Sequence, residues 1–182
     1  MEQKNYILEI IDSLLKKKSH ARELAKKIQT NHTTIIRKIK ELAKENVADF
    51  SQEGKNKVFF LKKTIESRMY IYSTEHYKLI QILKHDPTLR KIIEKIQQDK
   101  RIKLAVLFGS YAKRIAKKES DIDIFILTKD LELKKDLKLI DSRLSIKIGT
   151  YNKKENLIKE IEKDHVILKG VEEFYEKNEF FE

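Results

Sequence analysis

Apolar residues in the first 65 positions recur with helical spacing three times and then alternate with polar residues twice. Spacings of three and four residues place side chains on one face of a helix, so the pattern predicts three amphipathic helices. These helices are predicted at residues 5–15, 20–28 and 33–45. Alternation at residues 47–50 and 57–61 predicts two strands, and Gly54 between them suits the positive φ of a hairpin turn.

The middle of the chain is predicted to be helical. Residues 64–84 carry apolar positions spaced as one helical face, Pro87 ends this segment, and residues 87–98 begin another helix. The positions on the predicted face are Ile65, Met69, Tyr72, His76, Leu79, Ile80 and Leu83.

From residue 104 onwards, strand-like and helix-like segments alternate. The apolar run 104–108 predicts a strand that ends at Gly109 and Ser110, and Asp121 and Asp123 alternate with isoleucines in the next strand. Helices are predicted at residues 131–139, 153–163 and 171–176, and further strands at 144–150 and 165–168. The chain is therefore expected to be an α+β protein whose C-terminal half is a small mixed sheet with helices.

Composition limits the classes of protein that this sequence can represent. The chain has 182 residues, enough for one ordinary domain or two small ones, and 40% of them are hydrophobic. It has no cysteine, which excludes disulfides and thiolate metal sites. No apolar run approaches the roughly 20 residues of a membrane span, and none follows the start as a signal peptide requires. We expect a cytoplasmic protein that does not enter a membrane.

The net charge of +11 is unevenly distributed. Residues 1–65 contain 15 Lys and Arg against 8 Asp and Glu, whereas the remaining 117 residues contain 25 against 21. An excess of this kind suits contact with a polyanion, and it equally suits a solvated basic surface. Charge alone leaves both interpretations open.

Asp121 and Asp123 are the candidate metal ligands. Residues two apart on a strand point to the same face, so the two carboxylates project together while Ile122, Ile124 and Ile126 face a core. Two hard oxygen ligands suit Mg²⁺, which takes its remaining ligands from water and phosphates. Exposed acids at a strand edge would be the structural alternative.

Residues 108–127 resemble the signature of the nucleotidyltransferase superfamily, which has a polymerase-beta-like fold: Gly-Ser, about ten residues, then Asp-x-Asp. The resemblance implies that a hydroxyl attacks the α-phosphate of a nucleoside triphosphate and releases pyrophosphate, with metal ions at the site. By this resemblance Asp121, Asp123 and Ser110 are catalytic, and the two aspartates bind Mg²⁺. The implied nucleotide-binding residues are Gly109, Ser110, Lys113 and Arg114.

The sequence departs from this family in two respects. Active members usually carry a third carboxylate on a later strand, where this chain offers Ser145 or Lys147, with Asp141 as the only nearby substitute. The loop after Gly-Ser usually has a second glycine, and Arg114 and Ile115 occupy that place. These departures leave transfer of a nucleotide and simple binding of a nucleotide as alternatives.

Residues 4–63 resemble a winged helix-turn-helix, most closely in the segments 21–28 and 35–42. The resemblance implies that the third helix enters the major groove of double-stranded DNA and that the hairpin is a wing. The residues expected to contact DNA are His32, Thr33, Thr34, Arg37, Lys38, Lys40 and Lys44 on the helix, with Lys55, Asn56 and Lys57 on the wing. A protein-interaction module with solvated basic residues is the alternative.

Together these interpretations divide the chain into a winged helix domain at 1–65, a helical linker at 66–100 and a nucleotidyltransferase domain at 101–182. A long helix after a winged helix often supplies a dimer contact, so a homodimer is expected. The first functional hypothesis is a DNA-bound enzyme that transfers a nucleoside monophosphate to a protein or RNA, as small antitoxin relatives do to a toxin. The second is a non-enzymatic transcriptional regulator whose second domain binds a nucleotide or a partner. RNA processing is a third, weaker hypothesis.

Overall fold

The computed structural model describes residues 4–182. This part of the chain forms two compact units. The first unit ends at Thr74 and also includes Phe181 and Glu182, and the second is Glu75–Phe180.

The first unit consists of helices and a small antiparallel sheet. In chain order its elements are α1 (Tyr6–Lys16), β1 (Ser19–His20), α2 (Ala21–Ile28), α3 (His32–Lys44), β2 (Ala48–Glu53) and β3 (Asn56–Leu61). The strands are ordered β1-β3-β2. The three predicted helices and the hairpin are confirmed, but β1 was not predicted. His20, predicted as the first residue of a helix, lies in β1 and pairs with Val58 instead.

Side-chain caps and a buried apolar face explain why these segments are helical. Asn31 accepts a hydrogen bond from the Thr34 amide at 2.7 Å, which satisfies a free N–H at the start of α3. The centre of this apolar face is fully buried: Ile10, Ile11, Leu24, Ile35 and Leu42 are at most 1% exposed. Burying an apolar side chain of this size contributes about 1.5–3 kcal/mol, so this face holds the unit together.

The hairpin turn consists of Gly54 and Lys55, because Glu53 pairs directly with Asn56. Gly54 has φ of +59°, as predicted for this position.

Helix α4 (Ile65–His85) follows the hairpin and continues into the second unit. The prediction of a single apolar face on it was wrong. Leu79 is buried, whereas Ile65, Met69 and Ile80 are 62%, 47% and 50% exposed. Helix α4 also buries polar side chains, among them Thr74 and Glu75. The spacing of its apolar residues therefore does not match the set of positions that are buried.

The second unit is built on a four-stranded sheet. Its elements after α4 are α5 (Arg90–Gln98), β4 (Ala105–Leu107), α6 (Gly109–Ala112), β5 (Ile122–Leu127), α7 (Glu132–Lys138), β6 (Leu144–Gly149), α8 (Asn156–Lys163), β7 (Val166–Lys169) and α9 (Val171–Lys177). The strand order is β6-β5-β4-β7, in which β5 and β6 are parallel and the other pairs antiparallel. The predicted mixed sheet with helices is therefore confirmed.

Two predicted helices start later than expected. The segment from Pro87 to Leu89 is a 3₁₀ turn that precedes α5, and Pro87 lies at its first position, where no N–H is needed. Helix α8 begins at Asn156 rather than near residue 153.

A buried charged cluster lies in the second unit. The Glu75 side chain is fully buried, accepts a hydrogen bond from the Tyr175 hydroxyl at 2.8 Å and lies 2.7 Å from the Lys78 ammonium. His165 Nε2 lies 3.5 Å from the same carboxylate, while its Nδ1 is 2.8 Å from the Ile161 carbonyl and donates to it. Burial alone would raise the pKa of the Glu75 carboxyl, but the charges of Lys78 and His165 lower that pKa to about 2.

Among residues 4–182, no helix combines the length and the apolar content that a membrane crossing requires.

Candidate functional site

Strand β5 places Asp121 and Asp123 at one end of the sheet. The alternating residues Ile122, Ile124 and Ile126 are at most 1% exposed, so they face the core as the pattern predicts. Asp123 is half-buried on the other face, and Asp121 is exposed just before the strand begins. Both carboxylates are therefore accessible to a ligand.

The turn at Gly109 lies directly against the Asp123 carboxylate. The Phe108 amide donates to the Asp123 carbonyl at 3.0 Å, which ties the end of β4 to β5. Gly109 has φ of +69°, and a Cβ atom there would lie 2.7 Å from Asp123 Oδ2. A side chain at this position would be strained by the backbone conformation and would have to displace the Asp123 carboxylate. The two motif segments, about ten residues apart in sequence, thus meet at this point.

Ser110 lies on α6, which is a single turn of helix. Lys113 and Arg114, which were expected to bind the nucleotide, follow this helix, since α6 ends at Ala112. Both are exposed, and Lys113 Nζ lies 3.8 Å from a Glu160 carboxylate oxygen. They remain within four residues of Ser110, at the exposed end of the turn.

Arg114 has φ of +57°, in the left-handed region. It occupies the place where the family resemblance implies a glycine. For a residue with a side chain this conformation costs about 1–2 kcal/mol. The backbone geometry suited to glycine is therefore present at this position without the glycine.

Within the part of the chain that the structure describes, the side chains of Asp121 and Asp123 have no hydrogen-bond or ion-pair partner. Two free carboxylates fit Mg²⁺, which binds through one or two carboxylates and substrate phosphates. No group of three or more His, Cys, Asp or Glu side chains that could hold a metal ion exists in residues 4–182. A divalent ion at this place would have two protein ligands and would take the others from water and phosphate.

Comparison with known proteins finds a family model that matches this region. Residues 90–174 match the family model described as "Polymerase beta, Nucleotidyltransferase". These residues form a polymerase beta-like nucleotidyltransferase domain.

Further comparisons add little. A solved structure described as "Crystal structure of the toxin-antitoxin with AMP-PNP" is 20% identical, covers 52% of this chain and 78% of its own, and has a TM-score of 0.35. A similarity of this size is no basis for assigning that assembly's ligand or partner to this chain. A comparison with curated proteins found no match.

The nucleotidyltransferase domain has no acid where the resemblance implies a third carboxylate. In the parallel pairing of β5 and β6, Ser145 lies opposite Asp123 and Lys147 lies opposite Phe125. Ser145 is therefore the residue beside Asp123 in the neighbouring strand. A serine hydroxyl is a weaker metal ligand than a carboxylate because it carries no charge.

Asp141, the only nearby acid expected to substitute, already has a partner. Its carboxylate accepts two hydrogen bonds from the Arg143 guanidinium, at 3.1 and 2.7 Å. The hydrogen bonds from Arg143 hold the pKa of the Asp141 carboxyl below its usual range. Sequence reasoning missed this pair, although an Asp-x-Arg spacing next to a strand is a signal that could have been weighed.

The residues predicted to contact DNA lie on α3 and the hairpin. Of the α3 residues, Thr34 and Lys38 are half-buried, whereas His32, Thr33, Arg37, Lys40 and Lys44 are exposed. Arg37 and Lys38 both pair with Glu41, at 3.5 and 2.7 Å. The hydrogen bond from Lys38 is the main reason that the pKa of the Glu41 carboxyl is lowered. Exposed pairs of this kind contribute about 0–1 kcal/mol, so a phosphate could replace Glu41 as the partner.

A groove of about 490 Å³ brings some of these residues together. It is lined by His20, Ala21, Arg22, Glu23, His32, Ile36, Asn56, Lys57 and Phe59. Three predicted DNA-contacting residues are in that set. The other seven, Thr33, Thr34, Arg37, Lys38, Lys40, Lys44 and Lys55, do not line it.

His20 and Arg22 line the groove but were not predicted to contact DNA. Strand β1 places His20 there, since His20 pairs with Val58 and its Nδ1 lies 3.1 Å from the Lys57 carbonyl, to which it donates. Arg22 follows in the first turn of α2. A two-residue strand leaves no periodic signal in the sequence, so this placement could not be predicted from spacing.

Proposed function

We propose that the nucleotidyltransferase domain transfers a nucleoside monophosphate from a nucleoside triphosphate to a hydroxyl of a protein or RNA acceptor. The observation that supports this most directly is the contact between Gly109 and the Asp123 carboxylate, which joins a phosphate-binding turn to a metal-binding group. Asp121 lies two residues away with a free carboxylate.

In this proposal each residue has a separate task. Ser110 and the backbone at Gly109 bind a phosphate of the nucleotide, because the glycine lets the main chain approach closely. Lys113 and Arg114 neutralise the triphosphate charge. Asp121 and Asp123 would hold Mg²⁺, which would stabilise negative charge that develops on the phosphate oxygens. The acceptor oxygen forms a bond to the α-phosphorus, and the proton of the acceptor hydroxyl passes to solvent. The bond between the α-phosphorus and the oxygen that bridges to the β-phosphate breaks, and pyrophosphate leaves.

A labelling experiment tests this proposal. The protein is incubated with each α-labelled nucleoside triphosphate and Mg²⁺, with and without lysate of its own cell, and label on protein or RNA is measured. We expect label with the wild type and none with Asp121→Asn or Asp123→Asn. Glu172→Gln is the matched control, since Glu172 is an exposed carboxylate on α9. Equal labelling by wild type and Asp123→Asn would show that the site is misassigned.

A non-enzymatic role is the competing proposal. It is favoured by Ser145 opposite Asp123 and by the pairing of Asp141 with Arg143, which together leave two carboxylates at the site. In that case the domain binds a nucleotide or a partner and regulates transcription. Saturable nucleotide binding without any transferred label would support this alternative over transfer.

For the first unit we propose a winged helix that binds double-stranded DNA. The element order α1-β1-α2-α3-β2-β3 with a three-stranded sheet supports this, and so does the groove between α3 and the hairpin. Arg22 and Lys57 give that groove two cationic side chains, against one carboxylate, Glu23, which already pairs with Lys17. Basic side chains in a groove contact phosphates, which provide most of the affinity of such proteins.

The salt dependence of DNA affinity tests this second proposal. Affinity for a random-sequence duplex is measured by fluorescence anisotropy from 50 to 200 mM salt. Each lost phosphate contact should reduce the slope of log K against log salt by about 0.9. We expect this for Lys57→Ala and Arg22→Ala, and for Arg37→Ala and Lys38→Ala if α3 faces the backbone. Lys138→Ala, an exposed lysine on α7, is the control. Slopes unchanged in all four variants would contradict the proposal.

A further inference from the structure

The loop from Lys113 to Ser120 connects the Gly109 turn to Asp121. Its end is a closed turn, in which the Lys117 amide donates to Ser120 Oγ at 2.8 Å and the Ser120 amide donates to the Lys117 carbonyl at 2.9 Å. At its start, the Ile115 amide donates to the Ser110 carbonyl at 3.0 Å. The bonds of the final turn lie within the loop, and the bond at Ile115 ties only the start of the loop to α6. Holding the far end of the loop in place therefore requires a partner elsewhere.

Arg143, just before β6, supplies that partner. Its Nη1 donates to the Tyr111 hydroxyl at 3.3 Å and to the Lys118 carbonyl at 3.4 Å. Its own carbonyl accepts from the Ile122 amide at 2.9 Å. One residue therefore contacts the helix that carries Ser110, the loop, and the strand that carries Asp123.

Asp141 fixes the orientation of this guanidinium. Arg143 Nε and Nη2 donate to the two Asp141 oxygens at 3.1 and 2.7 Å, and the Arg143 amide donates to Oδ1 at 3.0 Å. A bidentate pair of this kind depends on the planar fork of arginine, which a lysine does not reproduce. The Asp141 carboxylate is thereby committed to Arg143 and is not available as a metal ligand.

We propose that Arg143, oriented by Asp141, is a positioning residue for the nucleotide site. We call Arg143, Asp141, Tyr111 and Lys118 the Arg143 clamp. The clamp keeps the Gly109 turn at a set distance from Asp121 and Asp123, so that the phosphates and the metal ion are bound together. This inference rests on the proposed nucleotide-binding function of the domain.

Limited trypsin digestion tests the clamp without any nucleotide. Lys117 and Lys118 are exposed, and cleavage after them is followed by mass spectrometry. In Arg143→Gln we expect cleavage at these two sites to be about tenfold faster, with cleavage after Lys55 unchanged. Arg90→Gln removes an exposed arginine of α5 and should behave as the wild type. Equal cleavage rates in Arg143→Gln and the wild type would overturn the inference.

Nucleotide binding tests the positioning role itself. Equilibrium dialysis of the full chain with ATP, GTP, CTP and UTP, each with Mg²⁺, should show binding about tenfold weaker in Arg143→Gln. The variant Arg143→Lys should not restore nucleotide binding. The double variant Asp141→Asn and Arg143→Gln should bind the nucleotide no more weakly than Arg143→Gln alone. The variant Tyr111→Phe removes the hydrogen bond to Arg143 and keeps the aromatic ring, so it replaces Arg143→Gln in this test if that variant fails to fold. We expect Tyr111→Phe to lower the affinity for the nucleotide about two- to threefold.

The outcomes separate this inference from the function on which it rests. If the wild type binds a nucleotide and Arg143→Gln binds it equally well, the positioning role is wrong and the proposed function stands. Full rescue by Arg143→Lys would also overturn the clamp, because charge alone would then suffice. If the wild type binds none of the four nucleotides, the proposed function fails and the positioning role fails with it.

Discussion

At the scale of single residues, the site depends on backbone conformations that the sequence shows only in part. Gly109 could be singled out because a glycine before Ser110 fits a known motif. The left-handed φ of Arg114 could not be predicted, since an arginine in the sequence does not indicate such a conformation. The pairing of Asp141 with Arg143 was also missed, because it depends on a turn that brings the two side chains side by side. Motif residues were thus predictable, and their partners were not.

Gly109→Ala should lower the free energy of unfolding of the second unit by about 2 kcal/mol, because its left-handed φ alone costs 1–2 kcal/mol and the methyl group would lie 2.7 Å from Asp123 Oδ2. Gly54→Ala is the matched control, since Gly54 has φ of +59° and no atom within 4 Å of the added Cβ. It should cost about 1 kcal/mol and leave nucleotide binding unchanged. The measurement is urea unfolding followed by circular dichroism, as the chain has no tryptophan. A similar cost at both glycines would contradict the close contact at Gly109.

Glu75 should make the stability of the second unit depend on pH. Its folded pKa of about 2 lies below the ordinary 4.5, so the ionised carboxylate stabilises the fold above pH 4.5. That contribution, about 3 kcal/mol, is lost as the pH falls from 4.5 to 2.

Glu75→Gln tests this dependence, because the amide does not titrate. Urea unfolding from pH 6 to pH 2 should give a flatter stability curve for the variant than for the wild type. The variant should also be less stable at pH 6, since it leaves Lys78 without its buried partner. Parallel curves would show that Glu75 does not carry the dependence.

At the scale of elements, periodicity predicted the long segments well and the short ones poorly. Helices α1, α2 and α3, the hairpin and the mixed sheet are confirmed, because each buries a repeating apolar pattern. Strand β1 has two residues, and its only support is pairing with β3 nearly forty residues away. The prediction of one buried face on helix α4 was wrong because apolar residues recur at positions of the helix that are exposed. A local sequence pattern does not show which face of a helix or strand packs against another element.

The pairing of β5 with β6 leads to a prediction about Ser145. Ser145→Asp would place a carboxylate directly opposite Asp123 in the sheet. A third acidic ligand should raise affinity for a divalent ion about tenfold, which electron paramagnetic resonance of bound Mn²⁺ can measure. Lys147→Asp is the control, since Lys147 lies opposite Phe125 instead. If Ser145→Asp gains no more affinity than Lys147→Asp, the register does not define a metal position.

At the scale of the whole molecule, each compact unit carries its own candidate chemistry. The basic groove lies within the first unit, and Gly109, Asp121 and Asp123 lie within the second. The excess positive charge is concentrated in residues 1–65, where a polyanion is proposed to bind.

Variants in the two units should therefore have separable effects. Asp121→Asn should abolish nucleotide binding with Mg²⁺ and leave DNA affinity within twofold of the wild type. Lys57→Ala should weaken DNA binding and leave nucleotide affinity unchanged. Anisotropy and equilibrium dialysis on the same preparations measure both quantities. A large change in DNA affinity in Asp121→Asn would indicate that the two sites are coupled.

Because Gly109 lies against Asp123, the effect of a substitution at position 109 depends on which residue occupies position 123. A side chain at position 109 collides with the carboxylate at position 123, whereas a shortened residue 123 removes that collision. The same mutation at position 109 is therefore harmful in one genetic background and milder in another. Among descendants of this gene, a larger residue at position 109 should become established only after Asp123 has been replaced.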